Sequence, residues 1–172
     1  MSSTAKISPL RAVGMGLLAG VIGTAAMTAW QELAARLRSA GGTSEGSDDP
    51  ARDPWDDAPA PARVAKLIGE GVFHIEIPAE RIGFLTNAMH WSTGTGWGAV
   101  YGILAGIRGR STLPDGLAFG TFVWLSSYAQ LVPLGIYEPP WKYPARVEAL
   151  DLSYHLVYGG ATAIAFGLLP RR

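Results

Sequence analysis

Between Arg81 and Arg108 the chain reads IGFLTNAMHWSTGTGWGAVYGILAGI, residues 82–107, and with His90 neutral nothing in it is ionised. A helix needs about 20 such residues to cross the ~30 Å hydrocarbon layer of a bilayer. Gly94, Gly98, Gly102 and Gly106 recur at every fourth position, so one side of that helix is a row of glycine. Lipid provides little hydrophobic drive for helices to associate, and small residues that let backbones approach closely take over. The stretch therefore reads as a membrane span whose glycine row receives another helix.

Three other stretches share this character. Residues 12–31, 116–137 and 152–170 contain no Asp, Glu, Lys or Arg, whereas buried helices of soluble proteins rarely stay uncharged beyond about 14 residues. The expected fold is an all-α membrane protein, a four-transmembrane-helix bundle in one domain over 1–172. Its spans cover about 12–33, 84–107, 115–137 and 150–169, with a long extramembrane loop at about 36–82. Each span carries a row of small residues: Gly16, Gly20, Thr24 and Thr28; the glycines already named; Gly116 and Gly120; Gly159, Ala163 and Gly167. Such rows predict a compact bundle with little interior volume, which argues against a wide pore. They also offer a way for a second copy or a membrane-protein partner to dock.

The whole-chain averages conceal this pattern. Fourteen basic and fourteen acidic residues cancel, and the mean hydropathy is only +0.18. With four spans both termini share a side with the Arg108-Gly109-Arg110 turn, so Lys6, Arg11, Arg108, Arg110, Arg171 and Arg172 stand there against the single acid Asp115. Basic residues mark the cytoplasmic side, so the termini are expected inside, although Arg36 and Arg38 run against that count. No basic cluster is present to bind nucleic acid. The absence of cysteine excludes disulfides, thiolate metal sites and a cysteine nucleophile. Residues 12–31 could alternatively be a cleaved signal sequence, but the helical pattern continues through Trp30 to Arg36 without a small-residue cleavage site.

Residues 39–61 are rich in Gly, Ser, Asp and Pro, with Asp48, Asp49, Asp53, Asp56 and Asp57 among them, a composition expected to give a mobile acidic loop. Val64, Leu67, Ile68 and Val72 then recur at helical spacing, predicting a short amphipathic helix on the membrane surface or capping the bundle.

Following each small-residue row one step toward the non-cytoplasmic end reaches a polar side chain. Gly94 leads to His90, Gly159 to His155 and Thr28 to Glu32, and the track through Gly116, Gly120, Val123 and Ser127 leads to Gln130. At ~1.5 Å per residue, His90, Gln130 and His155 lie about 8–10 Å inside their helix ends, and Glu32 a few Å inside its own. Ionisable groups at such depth are costly unless paired or wet, which makes them functional candidates. Asp151, four residues before His155, is placed for its carboxylate to accept the imidazole N–H, and Asn87 is placed similarly for His90.

Three chemistries fit this layer: a hydrogen-bond cluster that fixes helix register, a haem or divalent-metal site on His90 and His155 with Glu32 and His74, or a site that handles a proton or small solute. The close-packed glycine rows count against a haem. There is no nucleophile elbow, phosphate loop or His-Glu-x-x-His pattern, so no enzyme is expected. Trp30, Trp91, Trp141, Tyr137 and Tyr143 fit an interfacial aromatic belt. Pro133, Pro139, Pro140 and Pro144 stiffen the loop before the last span, which would lie over the polar layer as a lid.

Pro133-Leu134-Gly135, Pro139-Pro140-Trp141, Glu148 and Tyr154-His155-Leu156-Val157-Tyr158, with the earlier His90-Trp91, resemble the YagU-type group of uncharacterised bacterial inner-membrane proteins. The likeness covers roughly the last half of the chain. It implies a bacterial inner-membrane location and favours His155 and the Pro-Pro-Trp loop as shared features. The expectation is a small, non-enzymatic, multi-pass inner-membrane protein that binds or relays a small solute or proton at an outward polar layer. A haem- or metal-binding redox protein and a membrane scaffold or assembly partner are the alternatives.

Overall fold

The computed structural model describes residues 7–40 and 53–170. Five helices follow in order: α1 (Pro9–Ala40), α2 (Ala60–Gly71), α3 (Ile82–Arg108), α4 (Leu113–Leu131) and α5 (Ala145–Leu168), with 3-10 turns at Ala79–Arg81 and Pro140–Lys142. There is no strand among the described residues, and the protein is an all-α helix bundle.

Local sequence explains the ends. At the tight turn between α3 and α4, Gly109 takes φ +66°, open to glycine without strain. Thr112 then caps α4 reciprocally: its hydroxyl accepts from the Asp115 N–H at 3.4 Å, and the Asp115 carboxylate accepts from the Thr112 N–H at 3.2 Å. The sequence predicts that the third uncharged stretch stays helical to about residue 137, but α4 stops at Leu131. Pro133 has no N–H to continue it, and the chain reverses through Gly135 at φ +67°, with the N–H groups of Ile136 and Tyr137 both donating to the Leu131 carbonyl. By contrast, α1 meets no breaker and extends past residue 33, helped by the Glu32–Arg36 pair one turn apart at 3.8 Å.

The small-residue rows hold the bundle together in pairs. A Cβ on Gly20 of α1 would stand 2.8 Å from the Gly98 Cα, and one on Gly102 of α3 2.8 Å from the Gly16 Cα, so only glycine permits this approach. Gly94 receives the Thr24 side chain and Gly106 faces Ala12. The same arrangement joins α4 to α5, where Gly159 meets Gly120 and Gly116, and Gly120 also lies against the His155 carbonyl. Gly167 makes only ordinary contact, 3.7 Å from the Ser111 carbonyl. Across α1 and α5, Gly23 accommodates Tyr158 and Thr162. The glycines named here thus face partners within the chain.

Between α3 and α4 the backbones scarcely approach each other. Here Trp97 and Tyr101 meet Phe119 and Phe122 edge to face, with ring centroids 5.1–6.2 Å apart, and these rings hold the helices apart. The seam widens beyond the rings at either end. Buried hydroxyls are satisfied locally: Tyr158 donates to the Gly94 carbonyl at 2.6 Å, and Tyr101 to Ser111, which itself donates to the Ala163 carbonyl at 2.7 Å. No buried side-chain nitrogen or oxygen among the described residues lacks a hydrogen-bond partner.

Among the described residues one helix, α1, is long and apolar enough by length and composition to cross a membrane, with mean hydropathy 1.7 over its best window. The expected acidic loop falls partly on residues 41–52, including Asp48 and Asp49, outside the described residues. Its remainder is ordered onto α2: Trp55 donates its backbone N–H to the Asp53 carboxylate at 3.0 Å, and the Lys66 ammonium lies 4.9 Å from the Trp55 ring centre. Lys66 also pairs with Glu70, and this hydrogen bond holds the Glu70 carboxyl below the usual carboxylate range.

Candidate functional site

Beyond the Trp97 ring, at the end of the bundle away from both described termini, α1, α3, α4 and α5 enclose a cavity of about 300 Å³. That is the lower end of the size range of small-ligand sites. Thr24, Gly94 and Tyr158 form its floor with Trp97; His90, Gln130, Asp151 and His155 stand in its walls, with Met27, Met89, Ser126 and Ser127 between them. Four of the sequence-derived site residues thus share one cavity.

Glu32 does not join them. It is 64% exposed and paired with Arg36, while Gln31 lines the cavity. The reason is helical phase. Thr24, Met27 and Gln31 at i, i+3 and i+7 define the inward face of α1; Thr28 sits at its edge, and the step of four to Glu32 turns a further 40° away. His74 is also apart, exposed in the turn after α2 with φ +55°. No group of three or more His, Asp or Glu side chains among the described residues comes together to hold a metal ion. The divalent-metal arrangement expected of Glu32, His74, His90 and His155 therefore does not assemble.

The histidine partners also differ from expectation. His155 Nδ1 lies 2.9 Å from the Asp151 backbone carbonyl and 3.9 Å from its carboxylate, so the carbonyl is the hydrogen-bond acceptor. A carbonyl only accepts, so Nδ1 carries the proton and Nε2 is the acceptor of the neutral ring. The Asp151 carboxylate instead accepts the Trp124 indole N–H at 3.0 Å. His90 Nε2 meets the Thr28 hydroxyl at 3.3 Å, and Asn87 bonds back to the Gly83 carbonyl.

One turn above Asp151 on α5, Glu148 accepts the Tyr128 hydroxyl through both oxygens, at 2.8 and 3.0 Å. Glu148, Asp151 and His155 thus descend one helix face toward the cavity, each anchored by α4 or by α5 itself. Trp30 donates to the Ser153 hydroxyl at 2.9 Å and ties α1 to α5.

The mouth is covered from two sides. Ala60, Pro61 and Val64 of α2 line the cavity, as does Tyr137 from the proline-rich loop. Arg63 joins the two covers, donating to the Ile136 and Gly135 carbonyls at 3.1 and 3.2 Å. Tyr128 packs against both Tyr137 and Tyr143, and Tyr143 accepts the Glu138 N–H. Gln31, Trp124, Tyr128 and Arg63 were not singled out from sequence as site residues. Only Gln31 had a usable signal, its phase with Thr24 and Met27.

The fold and site define an all-α helix bundle with a cavity at one end that two histidines help to line. Compared with protein-family models, curated proteins and solved structures, the chain matches none.

Proposed function

We propose that the chain is a four-span integral membrane protein whose cavity binds a small polar solute or passes a proton on the non-cytoplasmic side. The cavity that brings His90, Gln130, Asp151 and His155 together under the clasp of α2 and the proline-rich loop carries this reading. The spans are α1, α3, α4 and α5, with the termini and the Arg108–Arg110 turn in the cytoplasm. The resemblance to the YagU-type group favours a bacterial inner membrane.

Two features support the spans beyond α1. Large apolar side chains stay exposed on every long helix, among them Ile22, Ile103, Phe122, Leu125 and Ile164, an outer surface that lipid would cover. Gly94, Gly98, Gly102 and Gly106, with Trp97 and Tyr101, lower the hydropathy of α3 and point inward. Hydroxyls of Thr24, Ser92, Thr121, Ser126 and Thr162 bond to carbonyls of their own helices, which meets these donors without water. Leu67, Ile68 and Val72 of α2 are exposed too, as suits an interfacial helix.

Ser127, in the cavity wall, tests the reading because the chain has no other thiol. With Ser127→Cys in reconstituted protein, small polar solutes that occupy the cavity should slow alkylation in a saturable way that His155→Ala abolishes. Alkylation that no solute slows would refute the binding site.

A further inference from the structure

Beyond the ring wall, toward the Arg108–Arg110 turn, the α3–α4 seam opens into a second cleft of about 240 Å³. Leu104, Ala118, Phe119 and Phe122 line it, and Leu104 and Phe122 are 41% and 53% exposed, so the cleft opens sideways. Arg108 and Arg110 stand at its rim, 58% and 69% exposed. Both face one acid, Asp115, which is 14% exposed and lies 3.3 and 3.9 Å from them. Two guanidinium groups against one carboxylate leave one positive charge uncompensated.

We infer that this cleft holds one anionic phospholipid, its phosphate at Arg108 and Arg110 and an acyl chain along Leu104 and Phe122. The inference rests on the membrane reading above, because a lateral apolar cleft in a bilayer is filled by lipid. From Arg108 down to Tyr101, α3 offers about 10 Å of wall, at the end of which the Tyr101–Phe119 ring contact closes the cleft. A chain can therefore enter from the side and the headgroup stay at the surface. Arginine presents a planar fork suited to phosphate, and basic pockets between helices at the cytoplasmic surface favour anionic headgroups. Glycines close the α1–α3, α4–α5 and α1–α5 interfaces and leave this one to bulky rings, which is why the seam has room for a chain.

The test is native mass spectrometry of the full chain in detergent, offered phosphatidylglycerol and phosphatidylcholine of matched acyl chains. One phosphatidylglycerol per protein should be retained, preferred by about fivefold or more. Arg108→Gln with Arg110→Gln should remove the preference. Leu104→Trp, which fills the cleft without changing charge, should remove the bound lipid. Arg36→Gln, at the other end of the bundle, should change nothing. Equal retention of both lipids, or equal loss with Arg36→Gln, would overturn the inference. Release of the protein from membranes by alkaline carbonate would instead overturn the membrane reading on which it rests.

Discussion

His155 Nδ1 lies 2.9 Å from the backbone carbonyl oxygen of Asp151, one turn earlier on α5. This bond fixes the ring's tautomer without using the Asp151 carboxylate, which Trp124 holds. With Nδ1 so engaged, Nε2 is the ring nitrogen left to face a ligand, in a cavity wall that also carries Asp151. His155→Ala should abolish solute protection of the cavity and lower stability by about 1–2 kcal/mol through the lost hydrogen bond. His155→Asn, which offers a donor near the Nδ1 position, should recover much of the stability but not the binding. Thermal unfolding in detergent and the Ser127→Cys alkylation assay separate the two effects, and full recovery of binding by asparagine would reduce His155 to a structural role. Asp56→Ala, in the turn before α2, should alter neither.

Gly98 and Gly96 share one helix and one short stretch of sequence but should respond oppositely to alanine. A Cβ on Gly98 would stand 2.7 Å from the Gly20 nitrogen, whereas one on Gly96 meets nothing within 4 Å. Gly98→Ala should cost about 2 kcal/mol or more by forcing α1 and α3 apart. Gly96→Ala should be neutral or stabilising by up to about 1 kcal/mol from helix propensity. Thermal unfolding of the two variants side by side measures the difference.

These glycines also mark how far the sequence could be read. Their four-residue spacing was legible because close helix approach demands it locally, and it pointed to His90 and His155, but which rows face each other, α1 with α3 and α4 with α5, came only from the structure. Glu32 was misplaced because a step of four residues drifts 40°, and at the end of a row that drift moves a side chain from the inner face to the outer one. The partner of His155 was missed for a different reason: the spacing of Asp151 is the same whether its carboxylate or its carbonyl accepts. Arg63 could not be found at all, since its bonds to Gly135 and Ile136 span 72 and 73 residues and no periodicity encodes them.

Arg63 should govern access to the cavity. Its two hydrogen bonds tie α2 to the proline-rich loop, and Arg63→Gln cannot span both carbonyls. Alkylation of Ser127→Cys should quicken several-fold in this background while the helix content measured by circular dichroism stays constant. An unchanged rate would mean that the covers open independently of this clasp.

Tyr158 joins α5 to α3 through its 2.6 Å bond to the Gly94 carbonyl and is almost fully buried. Tyr158→Phe keeps the ring and removes that bond, so it should destabilise by about 1 kcal/mol. Because the ring also floors the cavity, the loss should leave solute protection at Ser127→Cys in place. Unfolding and protection measured on the same preparation test both halves.

The central claim is that the histidine-lined cavity opens on the non-cytoplasmic side of a four-span bundle. Introducing single thiols at Gln130 and Arg110 and labelling intact cells with a membrane-impermeant maleimide tests it most directly. Gln130→Cys should react in intact cells, and Arg110→Cys only after permeabilisation. Labelling of Arg110→Cys in intact cells with Gln130→Cys protected, or labelling of both from the same side, would contradict the account.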